Sequence, residues 1–187
     1  VTDGTQNILI GFQAGFDLTT GGYNTLIGYV AGVDLTTSSN VAIGDVALYT
    51  VVGGAGKNVA VGSSCLRGNG ASSKDHAYNT AIGAKAGFSI DSGDYNCLMG
   101  YQAGYSITNG ARNILIGSKT GYDLTTTSDN TFVGANAGAN ATTASNIAIG
   151  SAALFANVGG AGQNVAIGGS ALNGDGASTK TYDRNTA

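Results

Sequence analysis

The residues of this chain that could do chemistry are few, and none has the neighbours that its chemistry needs. Gly53 to Lys57 reads GGAGK, with the glycines and lysine of a phosphate-cradling loop. A P-loop requires GxxxxGK followed by Ser or Thr for the metal, but Asn58 follows here. The position 106 residues further on is Gln163, so the lysine is not kept within the chain, and an ordinary glycine turn is predicted. His76 is the only histidine, and its counterpart 106 residues on is Tyr182. Without a second His or a paired nucleophile there is neither a triad nor a zinc set, so His76 reads as a solvated loop residue. Cys65 and Cys97 fall in different places of the pattern described below, which predicts two small buried thiols and no disulfide. Asp17, Asp34 and Asp123 could meet calcium, but they lack the GGxGxDxUx pattern of calcium-binding β-rolls. They open DLTT turns, where Asx-type local hydrogen bonding is the simpler role. Asn140-Ala141-Thr142 matches a glycosylation sequon, close to chance in a chain this rich in Asn and Thr. The expectation is no enzyme, no bound metal and no cofactor.

Composition points to architecture instead. The 187 residues include 32 Gly, no Pro and no Trp, and only 10% are charged. Glycine at that level signals many tight turns, and the missing proline suits long hydrogen-bonded ladders. A hydrophobic fraction of 42% is enough for a core and argues against disorder. Charge is scattered singly around a net −3, so no basic stripe exists for nucleic acid. No apolar run approaches the length of a membrane-spanning helix.

The dominant signal is a repeat. Asn-x-apolar-(Ile/Val/Met)-Gly recurs from Asn7, Asn24, Asn40, Asn58, Asn79, Asn96, Asn113, Asn130, Asn146 and Asn164, and an eleventh copy opens at Asn185. The spacings run 17, 16, 18, 21, 17, 17, 17, 16, 18 and 21 residues. The first four recur as the last four, so a 106-residue super-repeat overlies the short one. Residues 7–81 and 113–187 share 43 identities in 75 positions, which divides the chain into 7–112 and an incomplete 113–187. The chain stops in mid-motif without a polar cap, which predicts one solenoid segment, 1–187, of a longer protein. The fold class expected is all-β, a parallel β-solenoid of about ten coils of 16–21 residues.

Two columns of the triplet after Asn carry the candidate contacts. The third position is Ile10, Ile27, Ile43, Val61, Ile82, Met99, Ile116, Val133, Ile149 and Ile167, and with the first position it is assigned to the interior as the structural core. The middle position then points outward, yet it is never polar: Leu9, Leu26, Ala42, Ala60, Ala81, Leu98, Leu115, Phe132, Ala148 and Ala166. An apolar column outside a soluble solenoid needs a partner, so it is assigned to an interface between copies of the chain. On this assignment Leu26→Asp splits an oligomer. After the Gly comes a small residue, then Gly in short coils or Leu48, Leu66, Leu154 and Leu172 in longer ones, where Leu is expected to tuck beneath the longer loops.

The strands NVAIG and NTAIG, with small residues after the Gly, resemble the head repeats of trimeric autotransporter adhesins. The phrases GYNTLIGYVAG (Gly22 to Gly32), YNCLMGYQAG (Tyr95 to Gly104) and NVAIGDVALY (Asn40 to Tyr49) resemble the shaft repeats of phage tail fibres more closely still. The resemblance implies a left-handed roll, a homotrimer and a virion or extracellular surface. It makes the chain the structural shaft of a tail fibre or virion appendage that supports host attachment. The alternative is the head of a bacterial surface adhesin, and a third reading is a monomeric ice- or carbohydrate-binding solenoid. Thr pairs in the coils from Asn7, Asn24, Asn113 and Asn130 suggest the ice version, but the ladder breaks for four coils. The loops Thr50 to Lys57 and Arg67 to Tyr78 are the expected contacts for a host glycan or receptor.

Overall fold

The computed structural model describes residues 4–50, 53, 55–68, 75–156 and 162–174. Ten three-residue strands follow the repeat's Asn, one per coil: β1 (Ile8–Ile10), β2 (Thr25–Ile27), β3 (Val41–Ile43), β4 (Val59–Val61), β5 (Thr80–Ile82), β6 (Cys97–Met99), β7 (Ile114–Ile116), β8 (Thr131–Val133), β9 (Ile147–Ile149) and β10 (Val165–Ile167). They form one sheet in strict chain order. All pairs are parallel, and each residue faces its own equivalent in the next coil, as Ile8 faces Thr25 and Ile82 faces Met99. The expected parallel β-solenoid is therefore the fold. Each strand stops after three residues because the Gly that follows turns the chain, at φ between 126 and 141°. A Cβ on Gly28 would lie 2.3 Å from the carbonyl oxygen of Gly44, so one coil rests directly on the backbone of the next.

The Asn before each strand ties the coils together. Asn24 Oδ1 accepts the backbone N–H of Asn40 at 2.8 Å and its Nδ2–H at 3.1 Å. Asn24 Nδ2 donates to the Thr37 carbonyl at 3.0 Å within its own coil. The Oδ1-to-backbone bond recurs from Asn7–Asn24 through Asn146–Asn164 at 2.8–3.1 Å. From Asn24 to Asn164 these side chains are at most 2% exposed. A buried amide must find partners for both ends, and here the stack provides them.

The interior reverses the assignment made from sequence. Leu26, Ala42, Ala60, Ala81, Leu98, Leu115, Phe132, Ala148 and Ala166 are all fully buried, and they form the core, not a subunit interface. Leu9 belongs to the same column but is part-exposed, because β1 pairs only with β2. Ile10, Ile27, Ile43, Val61, Ile82, Met99, Ile116, Val133, Ile149 and Ile167 point outward and are half-buried or exposed. The reason is the narrowness of the coil. A turn of about 17 residues encloses one strand position, the small residue after the corner and one further apolar group, as with Leu26, Ala31 and Leu35. Alternation within the triplet then sends its first and third residues outside together.

Volume is balanced inside each layer. Where the strand supplies Leu, the corner is Gly: Leu26 with Gly32, Leu98 with Gly104, Leu115 with Gly121. Where it supplies Ala, the corner is a buried Leu: Ala42 with Leu48, Ala60 with Leu66, Ala148 with Leu154. Phe132, the largest, is matched by Gly138 and by Ala141 where the preceding coil has Leu124. The coil of Ala81 and Gly87 is filled by its neighbours, since a Cβ on Gly87 would lie 2.7 Å from Leu66 Cδ2 and 2.8 Å from Leu98 Cδ1. The Leu corners are thus core residues and not props beneath loops. Close packing makes such balance obligatory.

Two outcomes follow for chemical denaturation. Asn96→Ala removes the acceptor of the Asn113 N–H and the donor to the Gly110 carbonyl. It is expected to cost about 2–6 kcal/mol, the range for stranding two buried groups. Leu48→Gly is expected to cost about 2–5 kcal/mol as a cavity, and adding Ala42→Leu to it should restore at least half. A pair no more stable than Leu48→Gly alone would refute volume exchange between the two positions.

Candidate functional site: an outward apolar strip

With the interior filled by the middle column, the outer face of the sheet carries two parallel uncharged columns, one wholly apolar and one apolar but for three Thr. The third-position column is unbroken Ile, Val and Met. The first-position column is Ile8, Thr25, Val41, Val59, Thr80, Cys97, Ile114, Thr131, Ile147 and Val165. Neither contains a charged residue. Ile43, Ile82, Met99, Ile114, Ile116, Ile147 and Ile149 are each 37–43% exposed even with their ladder neighbours in place. Nine strand intervals of about 4.8 Å make the strip roughly 43 Å long. Contiguous apolar surface of this extent is what makes the strip the candidate site.

The columns beside the strip are polar or aromatic, and they too form ladders. Immediately before the Asn, Lys57 Nζ donates to Tyr78 Oη at 3.2 Å, and the Tyr78 and Tyr95 rings stack at 4.9 Å. Further along, Arg112 Nε and Nη2 donate to the Asp129 carboxylate at 2.6 and 2.9 Å. This pair holds the Asp129 carboxyl below its ordinary value through the Arg112 hydrogen bonds. Being exposed, it adds little stability. Phe12 and Tyr29 stack on the strip's other flank.

The remaining sequence candidates fall as follows. His76 is fully buried and not in solvent, a correction to the expectation. Its carbonyl accepts from Asn58 Nδ2 at 3.1 Å, so its backbone serves the Asn ladder and carries the side chain inside. Cys65 is a buried free thiol donating to the Ala81 carbonyl at 3.2 Å, whereas Cys97 is a half-exposed free thiol on the strip. Asp34 has its carboxyl raised by burial and by Asp17 beside it. Lys57 is spent on Tyr78. Thr37 and Thr143, second residues of two Thr pairs, turn inward, where their hydroxyl oxygens accept from the Asn40 and Asn146 amides at 3.0 Å. Within the longer loops, residues 51, 52, 54 and 69–74 lie outside the described residues, as does the eleventh repeat at Asn185. Among the described residues no helix is long and apolar enough to cross a membrane. Comparison with family models, with curated proteins and with solved structures returns no match.

Burial pushes the Cys65 thiol from its ordinary 9.0 up to about 12. A group raised in the folded state contributes stability that is fully present below its unfolded pKa and is lost as pH climbs through the folded one. Unfolding free energy is therefore expected to fall between pH 9 and 12 by up to about 1.4 kcal/mol per pH unit from this group. Cys65→Ala, which installs the residue most coils carry there, should flatten that slope. An unchanged alkaline slope would show that the thiol is not the group responsible.

Proposed function

We propose that the chain is a shaft segment of an elongated homo-oligomeric fibre, in which copies lie side by side and cover their apolar strips against one another. The observation that carries this reading is the strip itself, an unbroken column of Ile, Val and Met beside a mainly apolar one, with no charge in either over ten coils. A second copy suits it better than an unrelated partner. Both copies carry the same strand spacing, so parallel alignment brings like columns together along the full length. A closed symmetric arrangement then leaves no strip exposed. The number three, and a site on a virion or outer cell surface, are what the resemblance to tail-fibre shafts and autotransporter heads implies. The role is mechanical. Each coil contacts only its neighbours, so length is added without a new fold, and the ladder distributes load over many equivalent bonds.

Light scattering on the 187-residue chain should give three times the chain mass. Ile82→Glu with Ile116→Glu, both outward, should reduce it to one chain while the circular dichroism of the coil is retained. Leu26→Asp should instead unfold the chain, because Leu26 is core. Cys97 should resist maleimide in the assembly and react in the double Glu variant. A wild-type monomer at every concentration, or a double Glu variant of unchanged mass, would overturn the reading.

A further inference from the structure

One column of side chains outside the strip is mostly aromatic, broken by Val33, Arg67 and Ala139, and at Ala139 the break opens a cleft. The column stands at the fifth residue after each strand's Gly and runs Phe16, Val33, Tyr49, Arg67, Phe88, Tyr105, Tyr122, Ala139, Phe155 and Asn173. Main-chain bonds keep these positions in register. The Ser106 N–H donates to the Tyr122 carbonyl at 3.0 Å, Asp123 to Ala139 at 2.7 Å, and Asn140 to Phe155 at 2.9 Å. Over three coils the rings stack face to face: Phe88 on Tyr105 at 4.9 Å and Tyr105 on Tyr122 at 5.0 Å, both 5° from parallel. The Arg67 guanidinium extends the stack, 5.3 Å from the Phe88 ring and 5.8 Å from that of Tyr49. Then the ladder stops. Ala139 has only a methyl, and the next ring, Phe155, stands two coils beyond Tyr122, about 9.6 Å by strand spacing.

The gap is a cleft of about 270 Å³, lined by Lys119, Tyr122, Asn136, Ala139, Asn140 and Phe155. The lining includes an aromatic residue from each neighbouring coil, Tyr122 and Phe155, and Ala139 from the coil between them. The coil that lacks the ring supplies an amide on each side of it, Asn136 three residues before Ala139 and Asn140 one after. The stacked rungs elsewhere show what thickness such a slot accepts, namely one ring.

We propose that this slot binds a single pyranose ring sandwiched between Tyr122 and Phe155. A pyranose with equatorial hydroxyls presents C–H groups on both faces, which suit aromatic walls, and hydroxyls around its rim. Each hydroxyl both donates and accepts, and so does each carboxamide of Asn136 and Asn140, while Lys119, whose Nζ stands over the Tyr122 ring at 5.9 Å from its centroid, adds donors at that wall. Polar side chains beside apolar walls are the usual make-up of a small-molecule site. A bare aromatic guest would leave those groups without partners. The slot lies on a different column from the apolar strip, so the proposal stands apart from the fibre reading.

Saturation-transfer NMR on the full chain with methyl β-glucopyranoside tests it. The expected result is saturation of ring protons on both faces of the sugar. Ala139→Phe supplies the missing rung. It should cut the saturation at least five-fold while the thermal midpoint stays level or rises, and Asn136→Ala with Asn140→Ala should weaken it without loss of fold. No saturation with the wild-type chain, or equal saturation with Ala139→Phe, overturns the site. If 4-methylphenol saturates and the glucoside does not, the pyranose assignment is overturned.

Discussion

The structure depends on the buried Asn column. The Gly after each strand lets neighbouring coils come into backbone contact, but the chain must also enter each strand at the same height, and the Asn amide sets that height. Its oxygen holds the backbone of the following coil, while its nitrogen holds the far side of its own coil, as in Asn79 to Gly93 and Asn96 to Gly110. One side chain therefore fixes both the rise between coils and the closure of each coil. Parallel amide dipoles in a dry setting also reinforce one another along the stack. Coils of 16, 17, 18 and 21 residues can follow one another because length differences are absorbed beyond the points the Asn holds.

This constraint explains a conformational feature that the residue types conceal. Among the described residues, twenty-four other than glycine have positive φ, most of them in two columns, the one just before Asn and the one two after the strand's Gly. They include Val30, Val46, Tyr78 and Lys119, and a β-branched residue there is unfavourable by local preference. The main-chain ladder overrides that preference. Val30 N–H donates to Phe12 and Val46 N–H to Tyr29, at 2.8 and 2.9 Å, only in this conformation of the corner. The four corner Leu residues, Leu48, Leu66, Leu154 and Leu172, share the positive φ of the Gly they replace and offset it by filling the core or packing against it.

The repeat made the solenoid legible, down to the ten strand positions, because the Asn and Gly that bracket each strand do so for backbone reasons that leave little choice. Which face was interior was not read correctly. Ile and Val look more like core than Ala does, and a rule based on residue size placed Ile82 inside and Ala81 outside. The better signal was coupling within a coil. Leu26 accompanies Gly32 and Ala42 accompanies Leu48, an exchange of volume that only residues sharing one cavity need to make. His76 was misjudged for a related reason. Its surroundings in sequence are polar, but its carbonyl lies in the column that serves the Asn amides. The ring slot was not legible at all, because Ala139 differs from Tyr122 by an absence, and an absence becomes a cavity only once the rungs are in register.

Stacking identical positions every 4.8 Å or so turns each choice of residue into a choice about a whole column. A column tolerates variety where each rung meets only water and its two neighbours, as in the run from Lys57 through Tyr78, Tyr95 and Arg112 to Asp129. It tolerates compensated variety where several columns share a cavity, as in the core. The third-position column does neither. It keeps Ile, Val or Met through every coil, although these side chains stay half-buried or exposed among the described residues and a Thr or Ser would cost the fold little. Uniformity of that kind, on a face the single chain leaves bare, is the pattern expected when one continuous surface must be matched along its whole length. The interruption of the aromatic ladder at Ala139 is the opposite case, a local departure in a column that elsewhere favours rings, and a local departure suits a local ligand.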